Sequence, residues 1–178
     1  MPNKSGEIQL CIDYCKLNQW TKRNAYPIPI TKAVFEVMKG AVMFSKFDLK
    51  SSYKLVRVRE GDDCKTAFKT KFGYFEHFVM PFGITNTPEV FQSFVNDIFS
   101  EDIGKYCKVY LDYIVVYSKK LEEHVQHVQS ILKKLIKFKL VAKISKYELH
   151  KLKISFLGYV VRKDVVETDP EKINDVAE

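Results

Sequence analysis

Val109-Tyr110-Leu111-Asp112-Tyr113-Ile114-Val115-Val116-Tyr117 holds two short apolar runs that meet at a polar interruption. Lys108 to Leu111 and Ile114 to Tyr117 are long enough for strands, and Asp112-Tyr113 between them leaves room only for a tight hairpin. Asp112 is therefore expected at the hairpin tip. Upstream, Met43 to Leu49 reads as another apolar strand, ending on Phe47-Asp48-Leu49, with Tyr53 five residues after the aspartate. Between the two lies Val79-Met80-Pro81-Phe82-Gly83-Ile84-Thr85-Asn86-Thr87-Pro88, a rigid turn that opens a helix with Thr87 as its cap and Pro88 in its first turn. Val90, Phe91, Phe94, Val95, Ile98 and Phe99 continue at helical spacing. After the hairpin, Leu121, Val125, Val128, Ile131, Leu132, Leu135 and Ile136 predict a second amphipathic helix. Strand, helix, strand-turn-strand, helix, strand is the order of a split βαβ α+β fold, an antiparallel sheet backed by helices.

The remaining segments read as follows. Ile8 to Tyr14 alternates like a strand. Asn24 to Ile30 is held extended by Pro27 and Pro29. Thr31 caps a short helix reaching about Lys39, which Gly40 ends. Leu55 to Val58 alternates again. Thr66 to Lys71 and Tyr74 to Val79 flank Phe72-Gly73 as a hairpin, and Ile154 to Val161 predicts another around Gly158.

Charge and cysteines narrow the class. The chain of 178 residues carries a net charge of +7. Lys119 to Lys153 alone contains ten lysines against Glu122, Glu123 and Glu148. A solvated helix face and a surface for nucleic acid both account for such a stretch. Cys11 and Cys15, four apart in the expected strand and so ~13 Å from one another, are too distant for a disulfide. No CxxC pair suggests zinc. Reduced cysteines fit an intracellular protein. No run approaches the roughly 18 apolar residues of a membrane span, and Met1 to Gly6 has no leader-like apolar core.

Asp48 and Asp112, at the ends of adjacent strands, carry the chemistry. Each alone reads as a turn or cap residue. Together they are what Mg²⁺ requires: oxygen ligands, with the remaining positions left to water and substrate phosphates. Two such ions ~4 Å apart clamp the attacking and leaving oxygens of a phosphoryl transfer. His124 and His127, three apart on the second helix, have no third ligand nearby and read as ordinary helix residues. Trp20 and Tyr26 read as packing residues before base-stacking ones.

In this order and spacing the segments resemble the reverse transcriptases of Ty3/gypsy-type long-terminal-repeat retrotransposons. The resemblance rests on Cys11-Ile12-Asp13-Tyr14 with Leu17-Asn18, Tyr26-Pro27-Ile28-Pro29, Phe44 to Leu49 with Ser52-Tyr53, and Lys65-Thr66-Ala67-Phe68. It continues through Val79 to Gly83, Val90-Phe91-Gln92 and Val109 to Asp112 to Phe156-Leu157-Gly158-Tyr159. It implies a right-hand polymerase, with residues 1–40 and 55–79 as a fingers-like lobe and residues 41–54 and 80–161 as the palm. Residues 162–178 would start a connection toward a thumb not present here, as are the family's ribonuclease H, protease and integrase. By resemblance, Asp48, the Leu49 carbonyl and Asp112 hold two Mg²⁺ ions. Tyr53 stacks under the incoming sugar, Gln92 lies near the template, and Pro81-Phe82-Gly83 holds the template and nascent pair. Phe156, Leu157, Gly158 and Tyr159 form the primer grip, and Lys146 approaches the leaving pyrophosphate, unless it is one more solvated lysine. The implied partners are an RNA or DNA template with its primer and deoxynucleoside triphosphates, without a membrane. The implied location is the cytoplasm, a retrotransposon particle or the nucleus.

The pattern breaks at Tyr113, where the family has a second aspartate serving the metal that activates the primer hydroxyl. A phenol with a reference pKa of about 10 does not replace that carboxylate. Gln9 and Cys15 stand where arginines are usual, the first normally touching the triphosphate, and Lys54-Leu55 replaces a usual His-Gln pair. The expectation is an RNA-directed DNA polymerase fragment impaired in catalysis. The alternatives are a nucleic-acid-binding remnant without catalysis, or a decayed mobile-element copy without present function.

Overall fold

The computed structural model describes residues 10–50 and 52–170. In chain order, α1 is Cys15–Trp20, α2 Thr31–Glu36, β1 Met43–Asp48, β2 Phe68–Thr70, β3 Gly73–Phe75 and α3 Thr87–Ile98. There follow β4 Cys107–Tyr110, β5 Tyr113–Ser118, α4 Leu121–Lys137, β6 Glu148–Lys151, β7 Lys153–Phe156, β8 Tyr159–Arg162 and β9 Val165–Thr168. They fall into two compact units. One gathers Met1–Pro27 and Ser51–Phe94, the other Ile28–Lys50 and Val95–Glu178. Residues 28–40 group with the sheet that carries Asp48, and residues 51–54 and 80–94 with the other unit.

The second unit is built on a sheet of order β4-β5-β1-β6, all antiparallel. With α3 and α4 as crossovers, this is the split βαβ arrangement. The period of two sends alternate residues of β1 and β5 to opposite faces. Phe44, Val115 and Tyr117 share one face and build a core with Val34, Met38 and Ala41 from the α2 region and Ile154, Phe156 and Val161 from β7 and β8. The other face receives α4, whose buried residues are His124, Val128, Ile131 and Leu135. The stripe predicted for this helix is therefore rotated. Leu121, Val125 and Ile136 are exposed, and the polar His124 occupies the place an apolar residue was expected to fill.

β7, β8 and β9 form a second antiparallel sheet. Its first hairpin turns on Leu157 at φ 53° and Gly158 at φ 76°, the doubly left-handed turn that matches strand twist. The segment read as the start of a connection, residues 162–178, thus holds the last residue of β8 and the strand β9.

In the first unit, polar side chains splice the loops together. The Tyr14 hydroxyl donates to the Thr66 carbonyl at 2.9 Å, and Tyr14 is 5% exposed. Asn18 donates from Nδ2 to the Gly83 carbonyl at 2.7 Å, and its Oδ1 accepts the Thr85 N–H at 2.8 Å. Gly83 sits at φ 95°, and a β-carbon there would lie 3.2 Å from the Ile12 carbonyl oxygen, so the turn requires glycine. Phe91, the core residue of the first turns of α3, is fully buried.

Several local expectations change. Residues 10–14 form no strand, and Cys15 starts α1 after its N–H bonds the Asp13 carboxylate at 2.8 Å. That local bond competes with a sheet ladder. Thr31 is the first helical residue, with Ile30 at the cap position and no side-chain cap. Leu55 to Val58 makes only the bridge Arg57–Val79, because Ser52–Leu55 coils into a 3-10 turn. The hairpin at residues 68–75 is present, with short strands. Trp20, read as a packing residue, is 90% exposed. Among the described residues, no helix is long and apolar enough to cross a membrane.

Candidate active site

Asp48 ends β1, and its Cα partner on β5 is Tyr113. The β4–β5 turn is Leu111-Asp112, one residue earlier than the sequence suggested, so Tyr113 is the first strand residue and Asp112 the last of the turn. Leu111 takes φ 51°, a left-handed backbone that costs a branched residue roughly 1–2 kcal/mol. The turn is locked to β1 by the Leu49 N–H, which donates to the Asp112 carbonyl at 2.8 Å. Beyond Asp48 the strand continues as a bridge from Leu49 to Ala142, and the Lys143 N–H donates to the Asp48 carbonyl at 2.8 Å. Residues 141–146 are thereby laid beside the two carboxylates.

Asp48 is 2% exposed. Lys146 Nζ lies 3.1 Å from its Oδ2 and Lys143 Nζ 3.8 Å from its Oδ1. At 3.8 Å the second contact is an ion pair without a hydrogen bond, and Oδ1 is a buried oxygen with no hydrogen-bond partner. Lys146 is held above the usual lysine range by its hydrogen bond to Asp48 and by that carboxylate's charge. Burial pushes the half-buried Asp112 above the usual carboxylate range, and the charge of Asp48 adds to the effect. Tyr113 is likewise raised, by burial first and then by Asp112 and Asp48. Its ring meets Phe156 edge-on at 6.1 Å, joining the site to the β7–β8 turn, and Phe35 makes edge contacts to Phe156 and Tyr159. A cleft of about 370 Å³ opens over Asp48, lined by Tyr113, Ser145, Lys146 and Tyr147 with the ion-paired Lys46 and Glu148.

One unit therefore gathers Asp48, Leu49, Asp112, Tyr113, Lys146 and Phe156, Leu157, Gly158 and Tyr159. Tyr53, Pro81, Phe82, Gly83 and Gln92 belong to the other. There Tyr53 stands edge-on between Phe82 at 5.0 Å and Phe91 at 5.2 Å, and the Thr87 hydroxyl donates to the Pro81 carbonyl at 3.2 Å. Gln92 is fully enclosed. Cys15 is exposed at the start of α1, and Gln9 lies outside the described residues. Reading the sequence missed Lys143, whose only signal was its spacing of three from Lys146. It also missed the Lys46–Glu148 pair across β1 and β6.

The donor set suits a hard cation. A buried carboxylate oxygen without a partner beside a second carboxylate is an incomplete oxygen shell. Among the described residues no three His, Cys, Asp or Glu side chains come together as a metal cluster. The fit is that of an ion held by two carboxylates and completed by water or phosphate.

A family model for reverse transcriptase (RNA-dependent DNA polymerase) matches residues 1–161. The Tf2-3 and Tf2-7 transposon polyproteins of Schizosaccharomyces pombe are each 40% identical over 159 residues, covering 89% of this chain and 12% of the polyprotein. The chain thus spans about an eighth of the length of these curated relatives. A foamy viral protease-reverse transcriptase solved with double-stranded DNA superposes with a TM-score of 0.90 at 18% identity, over 100% of this chain and 31% of that one. Another, solved with an RNA/DNA hybrid, gives 0.84 at 19% identity, over 93% of this chain and 22% of that one. The fold is that of a polymerase fingers and palm, and the chain belongs to the reverse transcriptase family, of the kind carried by Ty3/gypsy-type retrotransposon polyproteins.

Proposed function

We propose that this chain is the fingers-palm portion of an RNA-directed DNA polymerase whose nucleotidyl-transfer site is impaired by Tyr113. The observation that carries this reading is the buried Oδ1 of Asp48, which has no hydrogen-bond partner, at the strand end to which the Asp112 turn is bonded. Asp48 and Asp112, with the Leu49 carbonyl, would hold Mg²⁺. When bound, the metal supplies charge neutralisation and activation of the attacking hydroxyl. The chain's own residues do the rest. Lys146, kept protonated by Asp48, supplies a cation to the departing pyrophosphate. Tyr53 sets the room beneath the incoming sugar. The turn Pro81-Phe82-Gly83 positions the template and the nascent pair, and Gln92 on α3 lies near the template. Phe156, Leu157, Gly158 and Tyr159 grip the primer end. The unit Ile28–Lys50 and Val95–Glu178 serves as palm and the other as fingers. The partners are a primed RNA or DNA template and deoxynucleoside triphosphates.

Tyr113 withholds the carboxylate that a second ion would need, and its ring fills space beside the primer grip. Loss of such a ligand lowers turnover by orders of magnitude, since each ~1.4 kcal/mol of transition-state stabilisation is tenfold in rate. A second reading, a nucleic-acid-binding module without catalysis, is favoured by Lys143 and Lys146, which already neutralise Asp48. Primer extension on a poly-RNA template separates the two. The chain and its Tyr113→Asp variant would each be joined to the segment that follows the matched region in a Tf2 polyprotein. Faster extension by the variant supports the polymerase reading. Equal rates with intact primer binding and Mg²⁺ binding support the binding module.

A further inference from the structure

α4 carries a residue that no part of the nucleotidyl-transfer reading uses. His124 is fully buried against the face of the sheet opposite the core face. Its Nε2 shares a 2.8 Å hydrogen bond with Ser45 Oγ on β1, and its Nδ1 shares one of 2.9 Å with Ser118 Oγ on β5. Ser118 Oγ also meets His127 Nδ1 at 2.8 Å. A hydroxyl has one hydrogen, so at least one of these two rings donates to it.

Ser45 sits where the β1–β6 ladder breaks. The register runs Phe44 to Lys151 and Lys46 to Glu148, so Leu149 and His150 on β6 oppose the single residue Ser45. This is a bulge, and His150 adopts φ 52° there. The His150 N–H, which a regular ladder would give to a carbonyl, donates to Ser45 Oγ at 3.0 Å. The His150 ring stands edge-on to His124 at 5.3 Å. Burial, and then the charges of His150 and His127, hold His124 down to about 4, so the ring is neutral and has one donor and one acceptor to share.

We propose that His124 is a positioning residue for the acidic site: by orienting the Ser45 hydroxyl into the bulge it sets the register of β6 on β1, and with it the placement of Lys146 beside Asp48. The proposal rests on the reading of Asp48 and Asp112 as the metal-binding site. β6 follows Lys146 and Tyr147 directly, and its first residue, Glu148, pairs with Lys46 of β1. A slip of one residue would turn every β6 side chain to the other face and move Lys146 by ~3.3 Å along the strand. Asp48 lies three residues beyond Ser45 on the same strand, so the clamp and the carboxylate share one rigid segment.

The two ring nitrogens allow a test by halves. Gln reproduces the reach of Nε2 toward Ser45, and Asn that of Nδ1 toward Ser118. Amide hydrogen exchange and Tb³⁺ luminescence sensitised by the nearby tyrosines are measured on this chain and on His124→Gln, His124→Asn, Ser45→Ala and Ser118→Ala. His124→Gln and Ser118→Ala should stay within about threefold of the parent at the Leu49, Lys143 and His150 amides and in Tb³⁺ affinity. His124→Asn and Ser45→Ala should exchange at least tenfold faster at those amides and bind Tb³⁺ at least tenfold more weakly, with Val160 and Val161 of β8 unchanged. Should His124→Asn not fold, Ser45→Ala, which keeps the ring, decides. Unchanged exchange at Leu49 and Lys143 in Ser45→Ala overturns the proposal, as does loss in all four variants alike. Exchange needs no metal, so a parent that binds no Tb³⁺ refutes the metal-site reading, and the clamp is then decided by exchange alone.

Discussion

Asp48 and Tyr113 face each other across the β1–β5 ladder as direct Cα partners. Cross-strand pairs interact strongly, and like charges so placed repel. Tyr113→Asp therefore puts a third carboxylate next to Asp48 and Asp112 and removes the ring contact to Phe156. In metal-free buffer the variant should melt at a lower temperature than the parent, and millimolar Mn²⁺ should restore most of the difference by raising the variant more than the parent. Differential scanning fluorimetry with and without the ion checks this. In primer extension the same substitution should give about a hundredfold gain, corresponding to ~2.7 kcal/mol. Adding Gln9→Arg should improve nucleotide affinity further.

The buried His124 predicts an acid-sensitive fold. Its ring is held near 4, by burial first and then by His150 and His127, against 6.5 when free. His127 is lowered in the same direction, chiefly by burial and against the pull of Glu123 and Asp102. The unfolded state therefore binds the proton first, so stability is full above about 6.5, falls with pH below that, and levels off near 4. Between pH 6.5 and 5 the loss should be about 2 kcal/mol. Urea unfolding across this range checks it, and His124→Gln should flatten the slope.

The lysine-rich stretch divides into two kinds of residue. Lys134 is bound to the Asp102 carboxylate at 2.7 Å and to Glu101 at 3.3 Å, and Asp102 is 3% exposed. Lys134→Gln strands that buried charge and should cost up to ~3 kcal/mol. Lys133 and Lys137 are exposed on the same helix. If they touch phosphates, changing both to Gln should leave stability alone. It should also reduce the log–log salt slope of duplex binding by about one unit per lysine. Fluorescence anisotropy between 50 and 200 mM salt, roughly the range where such contacts weaken most, reads this directly. An unchanged slope makes them a solvated helix face.

α4 ends in a Schellman motif, with the Leu140 N–H donating to the Leu135 carbonyl at 2.9 Å and the Lys139 N–H to the Ile136 carbonyl at 3.1 Å. The left-handed position is Lys139, at φ 55°. Lys139→Gly relieves that backbone and should stabilise the chain by roughly 0.5–1 kcal/mol, visible as a shifted urea midpoint at unchanged slope. No change would mean that the extra freedom of glycine in the unfolded chain cancels the relief.

Strands and helices with a strong period were legible in the sequence. Met43 to Asp48, the hairpin around Asp112, and α3 and α4 stand within a residue or so of where periodicity placed them. What escaped was set by side-chain hydrogen bonds that periodicity does not encode. Asp13 captures the Cys15 N–H and starts a helix where alternation suggested a strand. Two serines turn His124 inward and rotate the buried stripe of α4. At the site, the structure brings together Asp48, Asp112 and Lys146; the aspartates were singled out from a strand end and a hairpin, and Lys146 only through resemblance. Lys143 was not, because its place beside Asp48 follows from the Leu49–Ala142 bridge, a contact between segments more than ninety residues apart in sequence.

The two lysines beside Asp48 have a consequence for the order of events in the life of the chain. A carboxylate this deeply enclosed would oppose folding if it had to wait for an ion from solution. Lys143 and Lys146 travel with the nascent chain, and both heads remain partly in water, 40% and 56% exposed. The polypeptide can therefore mature where free divalent ions are scarce. If the site takes a divalent ion as proposed, that ion would replace one tethered ammonium, and loading would be a substitution with an internal leaving group.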